Sequence, residues 1–94
     1  MPQRLVFRVH ALQAMFLRRI SDEEVGDVLL NGRTIEEYPE DRPYPSRLVL
    51  GWPGSRPIHV VAADNPAEQE TIIITVYEPD PERWEEGFER RKRT

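Results

Sequence analysis

A histidine and an arginine in the first patterned segment have the side chains and the spacing needed to act on a phosphate ester. Histidine is the side chain that titrates near neutral pH, so His10 can accept or release a proton. The planar guanidinium of Arg18 can hold a phosphate through paired hydrogen bonds. On one helix these residues lie about 12 Å apart along the axis and about 80° apart around it. This separation suits two neighbouring phosphates better than one.

A second group of candidates lies on the predicted strands. Centring one hairpin on Gly54 and the next connection near Ala67 places Leu50 opposite Ile58 and Val60 opposite Ile74. Because side chains alternate between the faces of a sheet, this register brings four polar side chains to one face. They are Arg47, His59, Thr75 and Tyr77. A shift of one residue in either loop would separate them.

The charge of the chain is acidic overall but unevenly distributed. A net charge of -4 argues against a general nucleic-acid coat, since nonspecific affinity for a polyanion comes mostly from excess positive charge. Arginines nevertheless gather near the first helix and in the tail. Among them Arg19 and Arg91 are candidate phosphate ligands. The alternative is a solvated, salt-bridged surface.

Each of the main candidates also has a structural interpretation. His10 can cap the start of a helix, and His59, among apolar neighbours, can bond across the sheet. Thr75 and Tyr77 suit β-strands by propensity alone. Trp84 can anchor a last helix to the core. The residue types alone therefore leave both readings open.

Two amphipathic helices are predicted in the first third of the chain. Apolar residues at spacings of three and four predict a helix from about residue 8 to 18. That stripe consists of Val9, Leu12, Phe16 and Ile20. Ser21 and Glu24 form a capping-box pattern that starts a second helix, and Asn31-Gly32 ends it.

Four strands and a short helix are predicted after Gly32. Alternating apolar residues separated by proline and glycine place strands near 34–38, 46–52, 56–63 and 71–78. Asp80-Pro81 followed by Trp84 and Phe88 predicts a short C-terminal helix, and 89–94 should be a frayed tail. The expected fold is α+β, with two N-terminal helices packed on a four-stranded antiparallel sheet.

The length and composition of the chain narrow its class further. Its 94 residues predict a single domain, 1–94. Without cysteine there is no disulfide scaffold and no thiolate site, and two histidines on separate elements lack metal-ligand spacing, so neither a metal nor a cofactor is expected. No apolar run is long enough for a membrane helix, and no signal peptide is recognisable, which favours a cytoplasmic protein.

Three stretches resemble the domain-of-unknown-function family 4258. They are His10-Ala11 with Arg18 and Ile20-Ser21; Tyr44-Pro45-Ser46-Arg47-Leu48 with Pro57-Ile58-His59-Val60-Val61; and Ile74-Thr75-Val76-Tyr77-Glu78-Pro79-Asp80 with Trp84. The resemblance extends from about residue 7 to 92. Its matching positions are His10, Arg18, Thr75, Tyr77 and Trp84. An arginine frequent in the family four residues after the histidine is Ala14 here, which puts catalytic competence in doubt.

The resemblance implies a nucleic-acid chemistry. The family is similar to RelE and BrnT toxins, is grouped with RelE-like and barnase-like ribonuclease folds, and often lies beside an antitoxin with a YgiT-type zinc finger. It therefore implies a metal-independent endoribonuclease toxin that cleaves messenger RNA by attack of the 2′-hydroxyl. The expected catalytic residues are His10, Arg18, Tyr77 and His59; the expected substrate-binding residues are Arg47, Thr75, Arg19 and Arg91.

A noncatalytic module that keeps the fold and binds a protein partner is the alternative function. The net charge, the alanine at position 14 and the small size favour it. The partners to consider are RNA, a cognate antitoxin and a second copy of the chain. An adjacent antitoxin gene would favour the toxin.

Overall fold

The computed structural model describes residues 4–93, which form a five-stranded sheet and two helices. Residues 1–3 and Thr94 lie outside the described part. In chain order the elements are β1 (Arg4–Phe7), α1 (Val9–Arg18), α2 (Asp22–Asn31), β2 (Arg33–Tyr38), β3 (Ser46–Gly51), β4 (Ile58–Asn65) and β5 (Glu70–Tyr77). No helix within residues 4–93 has the length and apolar character required to span a membrane.

The sheet is mixed, with strand order β1-β5-β4-β3-β2. Strands β2 to β5 form an antiparallel meander, whereas β1 pairs in parallel with β5 from Arg4 opposite Glu70 to Phe7 opposite Ile73. The predicted four-stranded antiparallel sheet is therefore wrong. Only Arg8 separates β1 from α1, so the apolar residues of this short strand run directly into the helical pattern with no turn signal between them.

Both helices pack on one face of the sheet, and the predicted helix bounds agree closely with the structure. The core contains Ala11, Met15 and Ile20 from the first helix and its end, Val25 and Val28 from α2, and Val49, Ile58, Val60, Ala62, Ile73 and Val76 from the strands. Much of the predicted apolar stripe of α1 is not in this core. Val9, Leu12 and Phe16 are exposed, because the side of the helix that carries the small residue Ala11 faces the sheet instead.

The strand register differs from the prediction by one residue in the first hairpin and by two in the second. Leu50 lies opposite His59 rather than Ile58, and Val60 lies opposite Val76 rather than Ile74. As a result Arg47 pairs with Ala62 on the helix-covered face. The outer face instead carries Leu48, Leu50, His59, Val61, Thr75 and Tyr77. The register depends on loop geometry and on a bulge between Val61 and Ala62, and neither has a signature in the sequence.

The C-terminal segment, residues 78–93, is not helical and covers the outer face of the sheet. The predicted short helix is wrong because Gly87 and Phe88 adopt positive φ angles of 89° and 63°, which reverse the chain. Trp84 then pairs with Arg91 in an antiparallel bridge. Although a frayed tail is expected from residue 89, the Lys92 N–H donates to the Arg83 carbonyl at 2.8 Å. Thr94 lies outside the described residues.

Candidate functional site

A cleft opens where α1 crosses the exposed edge of β5. The last pair between β1 and β5 is Phe7 with Ile73, and the Arg8 N–H then donates to the Ile73 carbonyl at 3.1 Å. Because β1 ends there, Ile74–Tyr77 continue beyond it, and α1 lies against this part of the strand. The cleft between them has a volume of about 390 Å³.

Four of the eight predicted site residues line this cleft. His10 and Arg18 come from α1, and Thr75 and Tyr77 from β5. Both helix residues are exposed to solvent, so each side chain is accessible to a ligand. The fold therefore brings members of two separately predicted groups to one cleft, and their roles there stay a prediction.

The helix wall of the cleft follows from the helical repeat. His10, Ala14 and Arg18 are spaced by four residues, which places them in a row along one side of α1. The small side chain of Ala14 leaves open space between the imidazole and the guanidinium. Gln13 and Leu17 extend the wall toward solvent. The i, i+4 spacing from position 13 to 17 was the only sequence signal for these two residues.

His59 lies away from the cleft, completely buried between the sheet and the C-terminal segment. Its Nε2–H donates to the Phe88 carbonyl at 2.9 Å, so Nδ1 accepts from the Tyr77 hydroxyl at 3.2 Å. Burial lowers the pKa of His59 and raises the pKa of Tyr77. Because burial disfavours the charged ring and both nitrogens are hydrogen-bonded within the fold, His59 holds the Tyr77 hydroxyl rather than exchanging protons with a ligand.

Arg91 lies over the outer face, on the indole of Trp84. The guanidinium carbon is 4.7 Å from the ring centre, and Nε–H donates to Glu36 at 3.3 Å. This hydrogen bond raises the pKa of Arg91. Burial alone would raise the pKa of Glu36, but hydrogen bonds from Tyr38 and Arg91 lower it overall. Burial and the neighbouring Glu36 raise the pKa of Tyr38 to about 12. Arg91 is therefore held in an internal network.

Two further predicted arginines also lie outside the cleft. Arg47 forms an ion pair with Asp64, beside α2. Arg19 ends α1 with a positive φ of 57°. Among the residues that line the cleft, neither is present.

Arg56, which the sequence analysis did not single out, fixes the end of the helix that carries Arg18. Its guanidinium donates to the carbonyls of Arg18 and Arg19, both at 2.9 Å, and to Glu24 at 3.3 Å. The backbone N–H of Ser21 holds the pKa of Glu24 below its ordinary value, and Arg56 adds to that effect. No local sequence pattern marks Arg56, because its partners are distant in the chain.

The cleft lies beside a part of the chain that has no acidic side chain. All 17 aspartate and glutamate residues follow Ile20, whereas Arg4, Arg8, Arg18 and Arg19 precede it. Within residues 4–93 no ion pair is formed by the last three of these arginines. The α1 side of an acidic molecule is therefore locally cationic and attracts anions.

The chain matches the family model described as a domain of unknown function, DUF4258, over residues 7–78. The chain belongs to this family. The match includes all four predicted residues that line the cleft and ends before Trp84 and Arg91. No curated protein and no solved structure matches the chain. In the described part of the chain, residues 4–93, no three side chains of the His, Cys, Asp or Glu type are grouped so that they could hold a metal ion.

Proposed function

We propose that this DUF4258 protein is a metal-independent endoribonuclease of the toxin type, acting on messenger RNA in the cytoplasm. The observation that supports the proposal is an open cleft that exposes His10 and Arg18 of α1 beside the uncovered edge of β5 at Thr75 and Tyr77. The locally cationic surface around α1 supports binding of a phosphate backbone there, despite the acidic balance of the whole chain. Similarity to RelE and BrnT toxins would imply the same activity.

The residues of the cleft match the needs of cleavage by an internal nucleophile. The His10 imidazole takes the proton of the ribose 2′-hydroxyl, and the 2′-oxygen attacks the adjacent phosphorus. Arg18 stabilises the negative charge that develops on the phosphate oxygens. The bond to the 5′-oxygen breaks, and that oxygen takes a proton from solvent in the open cleft. The products are a 2′,3′-cyclic phosphate and a 5′-hydroxyl end.

The direct test is cleavage of a defined oligoribonucleotide by the purified protein in the presence of EDTA. We expect cyclic-phosphate products, a rate about 10²–10⁴-fold lower for His10→Ala, and a comparable defect for Arg18→Ala. Arg83→Ala is the matched control, since this exposed arginine lies outside the cleft and should leave the rate unchanged. A substrate with 2′-deoxyribose at the cleavage site should not be cleaved, because it lacks the 2′-hydroxyl nucleophile.

The toxin part of the proposal has its own measurement. Induced expression of the chain should arrest growth, and the His10→Ala form should not. An antitoxin encoded next to the chain, with a YgiT-type zinc finger or a similar domain, should relieve the arrest. Normal growth on strong expression, together with intact RNA in the purified reaction, would count against the proposal.

A noncatalytic module that binds a protein partner is the second candidate. The apolar outer surface of α1 favours it, as does Ala14 at the position where the family often has arginine. This candidate predicts partner binding without RNA cleavage. Cleavage that disappears in His10→Ala would exclude it.

A further inference from the structure

The outward side of α1 is apolar, although no part of residues 4–93 covers it. Four side chains on this side are exposed, and Phe16 is the most open at 84%. At about 100° per residue they fall within one arc of the helix, opposite the buried Ala11 and Met15. We call this surface the α1 outer face; it consists of Val9, Leu12, Phe16 and Leu17, with Gln13 as its only polar member.

Such a surface is unusual for a helix that otherwise has a normal core-facing side. A surface helix ordinarily presents polar residues away from the core, and contiguous exposed apolar residues mark contact sites. Phe16 stands between two shallow depressions, one toward Leu12 and one toward Ile20 and Ser21. The depressions could receive apolar side chains on both sides of the ring.

The charges around the α1 outer face identify the kind of partner. Arg8 precedes it and Arg18 and Arg19 follow it, and no acidic residue occurs anywhere in residues 4–20. Within residues 4–93 these three arginines form no ion pair. A partner with carboxylates at both edges of an apolar stripe would match the surface in hydrophobicity and in charge.

A second copy of the chain matches the surface poorly. Packing the α1 outer face against itself would bring only cationic side chains to the rim on both sides, and like charges disfavour the contact.

From the apolar arc and its acid-free arginine border, we infer that the α1 outer face docks an amphipathic helix with acidic flanks from a partner protein. Two turns of that helix cross α1, with apolar residues at i, i+3, i+4 and i+7 on either side of Phe16. Its glutamate or aspartate side chains pair with Arg8 at one end and Arg19 at the other. The docked helix lies beside the cleft, since Gln13 and Leu17 belong to both surfaces.

The test uses a designed peptide of about 16 residues, long enough to hold a helix, with a leucine stripe flanked by glutamates. Binding to the full chain is followed by fluorescence anisotropy of the labelled peptide. We expect saturable binding that is at least about tenfold tighter than that of the same peptide with lysine for glutamate. Added salt should weaken the binding of the acidic peptide, because it screens the charges.

Matched variants separate the apolar contribution to peptide binding from the electrostatic one. Phe16→Ser should weaken binding about tenfold or more, because a large apolar contact is lost. Leu30→Ser is the control, since this α2 side chain is equally exposed at 83%. Arg8→Gln combined with Arg19→Gln should abolish the preference for the acidic peptide. Thermal melting should show that Phe16→Ser and Leu30→Ser are both folded.

Three results would overturn the inference. One is equal binding of the acidic and basic peptides, and another is binding that Phe16→Ser leaves unchanged. The third is a stable dimer of the chain, measured by sedimentation, that Phe16→Ser dissociates, because the occupant would then be a second copy. His10→Ala should bind the peptide like the unmodified chain, so the inference is independent of RNA cleavage.

Discussion

The two histidines of the chain lie in opposite environments, which determines what each can do. His10 is exposed on the cleft, where its imidazole is accessible to a ligand. His59 is sealed beneath the C-terminal segment, and both of its nitrogens are hydrogen-bonded. Residue type made the two equal candidates. Burial and hydrogen bonding distinguish them, and both depend on which chain segment covers the strand.

The buried His59 predicts a loss of stability in mild acid. Its pKa in the folded chain lies below the ordinary 6.5, so the unfolded chain binds a proton that the folded chain does not. The stabilisation by neutral His59 is complete above pH 6.5 and decreases as the pH falls through and below that value. The slope of unfolding free energy is at most about 1.4 kcal/mol per pH unit.

Urea denaturation between about pH 5 and pH 7 measures this slope. The lowered pKa values of Glu24 and Glu36 contribute in a separate window, below their ordinary 4.5. His59→Phe should flatten the dependence above that window. An NMR titration of the unmodified chain should give His59 a midpoint below 6.5; a midpoint at or above 6.5 would contradict the assignment.

At the scale of the elements, the sequence predicts where each helix begins and ends better than it predicts which face of the helix is buried. The periodicity and the Ser21–Glu24 capping box locate α1 and α2 within a residue or two. The face of α1 that becomes buried is decided by tertiary contacts with β5, where Ala11 permits close approach. Apolar periodicity alone cannot distinguish a stripe that packs on the core from one that stays exposed on the surface.

Two glycines provide a matched test of how closely α2 approaches the sheet. A Cβ at Gly51 would lie 2.8 Å from Val28 Cγ2 and 2.9 Å from its Cα, so α2 would have to move away from β3. Gly51→Ala should therefore lower the free energy of unfolding by about 1–3 kcal/mol. Gly26 lies within α2, and a Cβ added there would have no atom within 4 Å. Gly26→Ala should therefore raise the free energy of unfolding by about 0.5–1 kcal/mol.

Urea denaturation of both variants at neutral pH would measure the difference in sign. Both substitutions add one methyl group to a glycine, so their comparison isolates the space available at each position. Equal effects would mean that the packing distance between α2 and β3 does not limit stability. A destabilising Gly26→Ala would contradict the open environment assigned to that position.

At the scale of the whole molecule, the sheet is covered on both faces by elements of different kinds. Helices cover the face with Val60 and Val76, and an irregular segment covers the face with His59. The sequence predicts a helix for that segment because Trp84 and Phe88 have helical spacing. The chain reversal at Gly87 overrides this pattern, and only long-range contacts with the strands show which conformation is preferred.

The same segment explains why the family match is shorter than the folded unit. The matched region ends at residue 78, yet Trp84 is only 4% exposed and its ring lies 4.5 Å from that of His59. Residues beyond the match therefore complete the second layer of the molecule. The stability of the matched region should depend on an indole that it does not itself contain.

The two tryptophans test this dependence directly. Trp84→Ala should lower the free energy of unfolding by about 3–5 kcal/mol, because it empties the space between His59 and Arg91. Trp52→Ala should lower it much less, since that side chain is 48% exposed and its ring centre lies 5.9 Å from that of Phe88. Urea denaturation gives both values. Similar losses would mean that the C-terminal segment is a peripheral covering, and that α1, α2 and the sheet form an independently stable unit.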